Sequence, residues 1–384
     1  MLNKQRNNAV FKEFLLKGRH DMKIGILSMQ KILNYGSLLQ ALSLKIQMEQ
    51  RGHEVYFIDI EKGREIAKPC ASSTSSVSGL ASKFDKYFFK RIQNYFFSKK
   101  MNGIHIDDYT TYLETDKLLP DGERFGLVII GSDEVFNATT PSAWGFSTQL
   151  FGRVECTDRV VTYAASCGHT DFASAEKYGI VEEIRGAMKN LSAISVRDAN
   201  TMDFAERMTG KAPVLHLDPV FISDYDKYIP DVKFKKPYLL VYAYANRIQD
   251  ACEIAAIKKY AKENRLEIVS VGMQQRWCKH NLVASAFELL SYVKNADCIV
   301  TDTFHGTVFS IKYNKKFVTL IRDSNRNKLG GLLNIFGLMG RSVDDPETLS
   351  DVMEKPIDFD AVNEKIAQER VRSYTYLDEI SLEK

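Results

Sequence analysis

Cysteine is sparse in this chain, and its spacing carries no pattern. Six cysteines in 384 residues (Cys70, Cys156, Cys167, Cys252, Cys278 and Cys298) are scattered, with no C-x-x-C and no zinc-like pairing. That argues against a disulfide framework or a cysteine metal centre; the six read as reduced cytosolic thiols, several of them core fillers. No metal site is expected. Long apolar runs are missing too, since no stretch approaches the roughly 20 residues needed to span a membrane. There is no G-x-G-x-x-G and no G-x-x-x-x-G-K-[ST], so neither a dinucleotide cofactor nor a P-loop is supported.

An excess of one charge is likewise absent. Lysine and arginine number 52 against 49 acidic residues, a net charge of +3. Residues 1–21 hold Lys4, Arg6, Lys12, Lys17 and Arg19 against Glu13 and Asp21, leaving a body with 47 charges of each sign. A neutral body argues against nucleic-acid binding, which needs a concentrated basic face. Within the leader, the apolar run is interrupted by Lys12 and Glu13, so none is long enough for a signal peptide. Residues 1–21 are therefore read as a basic leader outside the fold. The alternative is a surface helix on Phe11, Phe14, Leu15 and Leu16 that touches a membrane peripherally. The expected location is cytoplasmic, with the inner membrane face as the alternative.

What is present is material for two cores: 45% of the residues are hydrophobic and 26% charged. From Met22 the pattern alternates short apolar runs with helix-length amphipathic segments, which predicts βαβ units and parallel sheets. "MKIGILSM" is a buried strand. The segment "NYGSLLQALSLKIQMEQRG" is a helix with an apolar face on Leu38, Leu39, Leu42, Leu44 and Ile46. "HEVYFIDI" is the next strand. Residues of about 64–120 interrupt this rhythm with a Ser-rich loop and an aromatic, basic helix, read as an inserted excursion. The array resumes at "FGLVIIGSDEVFN" and continues to about residue 230. A linker near 230–237 precedes a second βαβ array over 237–345, and 346–384 is a charged helical segment expected to pack back across the domains. The fold class is α/β, with two Rossmann-like domains whose parallel sheets face a cleft.

In open α/β sheets ligands bind beyond the carboxyl ends of the strands. The residues there are Asn34, Tyr35, Gly36 and Ser37 after the first strand, and Ser132, Asp133 and Asn137 after "LVIIG". Ser166 follows "TYAA", Arg197 follows "SV", Arg247 ends "LVYAYANR", Gln274 follows "VSVG", and His305, Gly306 and Thr307 follow "IVTDTF". Free N–H groups and the helix dipole favour anions at helix starts, which makes Gly306 and Thr307, with Ser132 and Ser166 as hydroxyl donors, candidate anion contacts. Arg197 suits a bidentate carboxylate or phosphate. Asp198 reads as a helix cap and Asp218, before Pro219, as structural; Asp133 is open between a base and a turn residue.

The ordered motifs "NYGSLLQALSL", "VIIGSDEVFN", "TYAASCG", "ISVRD", "HLDPVF" and "IVTDTFHGTVFSI" resemble the polysaccharide pyruvyl transferase family over about residues 22–325. The resemblance implies a GT-B-like pair of domains and transfer of pyruvate from phosphoenolpyruvate to a sugar as a cyclic ketal. On that reading the donor substrate is phosphoenolpyruvate, no cofactor is used, and the partner is a saccharide acceptor, lipid-linked or free, of a bacterial capsule or exopolysaccharide pathway. His305 matches the family histidine that contacts the donor, and Arg197 lies in a motif associated with donor phosphate or carboxylate. Two positions depart from the common pattern: Ser37 replaces an Asp, and Thr303 replaces an Arg two residues before the histidine. Proton transfer to the enol carbon and from the acceptor hydroxyl calls for an acid and a base. Imidazole titrates near neutrality, which makes His305 the candidate acid, and Asp133 is the candidate base. Arg197, Arg247, Gly306, Thr307, Ser132 and Ser166 are the donor or anion set. Asn34, Tyr35, Gly36, Ser37, Asn137 and Gln274 are the acceptor or loop set. The rival readings are a GT-B glycosyltransferase using a nucleotide sugar and a non-catalytic carbohydrate-binding relative.

Overall fold

Two parallel sheets, each made of the continuous apolar runs just described, form the protein. The computed structural model describes residues 22–30, 32–66, 84–245, 247–322 and 325–382. The basic leader, the Ser-rich loop of 70–79 and Cys70 lie outside the described residues. The first sheet contains β1 (Lys23–Leu27), β2 (Glu54–Phe57), β3 (Leu127–Asp133), β4 (Val160–Ala165), β5 (Leu191–Ala193), β6 (Ser195–Val196) and β7 (Val214–Leu215). Its order is β2-β1-β3-β4-β6-β7, with β5 also beside β4, and every pairing is parallel. The second contains β8 (Tyr238–Tyr242), β9 (Glu267–Val271), β10 (His280–Leu282), β11 (Cys298–Thr301), β12 (Lys316–Leu320) and β13 (Ser342–Val343). It is also all-parallel, in the order β10-β9-β8-β11-β12-β13. Strands such as β3, β4 and β8 are buried almost throughout because helices cover both faces of each sheet, so they show no polar alternation.

Five helices matter for the site: α1 (Tyr35–Glu49), α2 (Phe84–Asp108), α3 (Phe304–Lys312), α4 (Arg326–Ile335) and α5 (Phe359–Leu382). The sequence predicts one apolar face for α1, but the structure buries every residue from Tyr35 to Met48. The reason is its position between the sheets. One continuous core joins Ile24 and Leu127 of the first sheet to Leu240 of the second and Phe309 of α3, with Leu38, Leu42 and Ile46 of α1 inside it. The polar residues of α1 are satisfied there, as buried polar groups must be. Gln40 donates to Ser28 Oγ (2.8 Å), Ser43 to Ser223 Oγ (2.7 Å) and Lys45 to Glu114 (2.7 Å). Separate clusters cover the far side of each sheet, around Val128 and Phe136 in one and Leu239 and Val300 in the other.

The excursion is α2, extended by a wider turn over Tyr109–Leu113 that ends at Glu114 with φ 54°. Asp108 at its end accepts the N–H of Ala286 (2.8 Å), tying the excursion to the second half. The chain closes with α5, which returns to the first half: Tyr376 donates to the Thr162 carbonyl (2.8 Å) and Arg51 pairs with Asp378 (2.8 Å). Among the described residues no helix is long and apolar enough to cross a membrane. The five described cysteines are unpaired.

Candidate active site

Strand order reverses once in each sheet, between β1 and β3 and between β8 and β11, and the carboxyl ends of these strands bound one cavity of about 220 Å3. From the first half come Asn34, Asp133, Glu134 and Arg197. From the second come Tyr244, Arg247, Asp302, Thr303, Phe304, His305, Asn325, Lys328 and Leu329. This is where open parallel sheets place ligands.

On the first wall, Asn34 is the N-cap of α1 and accepts the Ser37 N–H (2.8 Å). Ser37 then donates its hydroxyl to Asp133 Oδ2 (2.7 Å). Asp133 ends β3 with φ 69°, a left-handed backbone that aspartate tolerates better than most residues. The turn presents its carboxylate to the cavity.

The opposite wall is the passage from β11 into α3. Thr303 caps that helix, its hydroxyl accepting the Gly306 N–H at 2.9 Å. His305 therefore lies in the first turn and faces the first half, where it packs on Gly36. A Cβ on Gly36 would come within 2.0 Å of His305 Nδ1. The other ring nitrogen, Nε2, faces Asp218 Oδ2 at 3.6 Å and has no hydrogen-bond partner. That distance is too long for a hydrogen bond, so the contact between ring and carboxylate is one of charge and packing.

Asp218 is wholly buried. It accepts from Arg197 Nη1 (2.7 Å) and from the N–H of Val220 (3.0 Å). Burial by itself would raise its carboxyl, but His305 and Arg197 outweigh that and hold it at about 2. Arg197 in turn lies 4.2 Å above the Phe304 ring and 3.7 Å from Asp133, with Nε unpartnered. The network therefore runs from Asp133 through Arg197 and Asp218 to His305, crossing from one half to the other.

Two further carboxyls complete the site. Asp302 is wholly buried; its Oδ1 accepts the Tyr244 N–H (3.3 Å), while Oδ2 has no hydrogen-bond partner and sits 3.8 Å from Arg247 Nη1. Burial pushes this carboxyl up to about 6 against the pull of Arg247. Glu134 pairs with Lys328 of α4 across the two halves. Burial works to raise Glu134 as well, but the Lys328 ammonium prevails and its carboxyl is lowered. Arg247 is the least committed cation: it is partly exposed and stacks on Tyr244 at 5.1 Å, and its guanidinium donates no hydrogen bond to a described residue.

Of the residues singled out from sequence, the structure gathers His305, Asp133, Arg197, Arg247 and Asn34 around the cavity, with Gly36 and Ser37 directly behind it. Others lie elsewhere. Gly306 does not offer its N–H to an anion, because Thr303 takes it; the glycine is required instead by packing, since a Cβ there would meet Thr301 Oγ1 at 2.1 Å. Thr307 is wholly buried on the Thr303 carbonyl and Thr319. Ser132 donates to the Ala164 carbonyl (3.0 Å) and Ser166 to Asp198 (2.6 Å), both within the sheet edge. Tyr35 is core, its hydroxyl on the Ala284 carbonyl (2.7 Å). Asn137 stands behind Glu134, and Gln274 borders a neighbouring groove. Asp198 is the helix cap its position predicts, whereas Asp218, read as structural, contacts the candidate acid.

Sequence reasoning passed over Glu134, Asp302, Tyr244, Asn325 and Lys328. The first two adjoin singled-out residues in "GSDEVF" and "TDTFHG". Asn325 and Lys328 follow β12, and its end, "IRDSN", yields no candidate from sequence. Among the described residues no group of three or more His, Cys, Asp or Glu side chains is arranged to hold a metal.

Comparison with known proteins adds a family match. The family model "Polysaccharide pyruvyl transferase" matches residues 34–324, most of the chain and nearly all the strands that build the cavity. No curated protein of similar sequence was found. Among solved structures, the glycosyltransferase of kitacinnamycin superposes with a TM-score of 0.46 at 11% identity, over 94% of this chain and 99% of that one. The MnaA–UDP structure of S. aureus gives 0.47 at 10% identity over 90% and 91%. The glycosyltransferase SnogD of Streptomyces nogalater gives 0.45 at 10% identity over 94% and 100%.

Proposed function

Because the chain belongs to the polysaccharide pyruvyl transferase family, and is thus a transferase, we propose that it moves pyruvate from phosphoenolpyruvate onto two hydroxyls of a saccharide as a cyclic ketal. The observation that carries this reading is the cavity itself. Its volume of about 220 Å3 falls below the range of roughly 300–1,000 Å3 usual for drug-sized ligands. A three-carbon phosphorylated acid is of a size for it. Its rim carries Arg247 and Lys328, which can meet the phosphate and carboxylate of such a donor.

The chemistry follows from the groups in reach. His305 donates a proton from Nδ1, the ring nitrogen that is not buried against Asp218, to the methylene carbon of the donor, and the electron pair of the double bond forms the new C–H bond. The adjacent carbon becomes oxocarbenium-like, and the first acceptor hydroxyl attacks it while Asp133 takes that hydroxyl's proton. Phosphate then leaves with the C–O electron pair. The second hydroxyl closes the ketal, and its proton returns to His305. The proton on Asp133 passes to phosphate, so each group ends as it began. Asp218 and Gly36 hold the imidazole ring from its two sides; Arg247 and Lys328 stabilise the leaving phosphate. The acceptor belongs to a cell-surface polysaccharide precursor.

The test is incubation with phosphoenolpyruvate and hexose glycosides bearing a free 4,6-diol, reading phosphate release and the pyruvyl mass on the sugar. Both should appear with the wild type and vanish in His305→Ala. Transfer that persists at the wild-type rate in His305→Ala would remove the acid from this scheme.

A further inference from the structure

A second concavity, of about 270 Å3, adjoins the first. The two share a wall: Leu33 lines one and Asn34 the other, and Ala245 lines one and Tyr244 the other. This groove runs between α2, which contributes Phe97, Ser98, Met101, Asn102 and His105, and the loop after β9, which contributes Gly272, Met273, Gln274 and Arg276. We propose that it is the acceptor subsite, and that it seats a pyranose ring of the saccharide next to the donor cavity.

The inference rests on the pyruvyl transfer reading and goes beyond it by locating the second substrate. A transfer brings two molecules together, and the first cavity is of a size for the small donor. The acceptor must therefore approach from a space that opens onto the same strand ends. Among the described concavities, this one shares consecutive residues with the donor cavity on two different segments.

Its lining matches sugar chemistry. A pyranose has apolar C–H faces and a belt of hydroxyls that both donate and accept. Phe97, Met101 and Leu33 supply an apolar face. Ser98, Asn102, Gln274 and Arg276 supply donors and acceptors, and none of these four side chains makes a hydrogen bond to a described residue. The contrast within the loop is informative. Gln275, between Gln274 and Arg276, is spent on the carbonyls of Ala243 (2.8 Å) and Tyr244 (3.3 Å). That anchor fixes the loop to the end of β8 and leaves its two neighbours uncommitted, as a preformed polar site requires. At the floor His105, 4% exposed, leaves Nδ1 without a partner. Its burial lowers the imidazole to about 4, so the ring is neutral near pH 7 and carries no charge into a site for uncharged hydroxyls. Gly272 is glycine because of a close approach: its φ is 74°, and a Cβ would fall 2.2 Å from the Tyr35 ring.

Saccharide binding can be read without turnover, by saturation-transfer NMR on the full-length protein. Methyl hexopyranosides with a free 4,6-diol serve as probes, and phosphoenolpyruvate turnover is measured in parallel. The wild type should bind at least one of them. Gln274→Ala and Asn102→Ala should each weaken that binding about three- to tenfold, the worth of one hydrogen bond. Both variants should keep the wild-type melting temperature and phosphoenolpyruvate affinity, because neither side chain supports the fold. A wild type that binds none of the glycosides, or variants that bind them as tightly as wild type, would overturn the subsite. A wild type that binds glycosides in this groove yet releases no phosphate from phosphoenolpyruvate would instead refute the donor and leave the groove assignment standing.

Discussion

Gly36→Ala is the most incisive single substitution for the proposed chemistry. In the structure an added Cβ would lie 2.0 Å from His305 Nδ1, 2.3 Å from Cγ and 2.5 Å from Cε1. Real Cβ contacts stay beyond 3.0 Å, so the imidazole must retreat by about 1 Å or α1 must shift. Retreat is obstructed, because Asp218 lies on the far side of the ring and Phe309 of α3 packs 6.1 Å away, centroid to centroid. A shift of α1 is no easier, since both sheets hold it. Displacement of a reacting group by about 1 Å typically costs about a hundredfold in rate, which is about 2.7 kcal/mol of transition-state stabilisation. Overpacking costs about 1–3 kcal/mol of stability, a few degrees in melting temperature for a chain of this size. The assay is phosphate release from phosphoenolpyruvate with a saccharide acceptor, beside thermal unfolding. Near-wild-type turnover in Gly36→Ala would show that His305 need not sit against α1, and the proton-donor role would fall with it.

Three further outcomes follow from the same network. Asp218→Asn strips the counter-charge from a buried Arg197 and should cost about 3–5 kcal/mol of stability, read by denaturant unfolding at pH 7. The Asp218 carboxyl is held at about 2, below its unfolded value. Its contribution is therefore present above about pH 4 and lost as pH falls toward 2, a loss that Asp218→Asn should not show. Asp302 has the opposite sign: a carboxyl raised to about 6 stabilises most below about pH 4 and loses that contribution as pH rises through 6. Relative to wild type, Asp302→Asn should gain stability between pH 4 and 8 in a melting-temperature series; a flat difference would contradict the burial argument.

Much of this fold was legible because buried parallel strands leave apolar runs with polar ends. The ends of β1, β3, β6, β8 and β11 locate Asn34, Asp133, Arg197, Arg247 and His305 from sequence alone. What was not legible depends on packing between segments distant in sequence. The one-sided pattern of α1 gave no sign that a second sheet covers its Gln and Ser face. Gly306 looked like an anion contact because a helix start offers free N–H groups, yet the adjacent Thr303 hydroxyl occupies that N–H. The departure at Ser37 also has a physical account, since its hydroxyl holds Asp133 at 2.7 Å where a carboxylate would repel it. Asp302 and Lys328 carry ordinary local sequence, and only the meeting of the two halves sets them on one cavity.

Phosphoenolpyruvate is the donor proposed for this cavity. The most direct measurement is thermal unfolding of the wild type with phosphoenolpyruvate and, separately, with a panel of UDP-sugars, repeated for Arg247→Met. A ligand at a hundred times its Kd stabilises by about 2.7 kcal/mol, a rise of several degrees. That rise is expected with phosphoenolpyruvate, with a reduction in Arg247→Met and no rise with the nucleotide sugars. Stabilisation by a UDP-sugar with none by phosphoenolpyruvate would contradict that proposal.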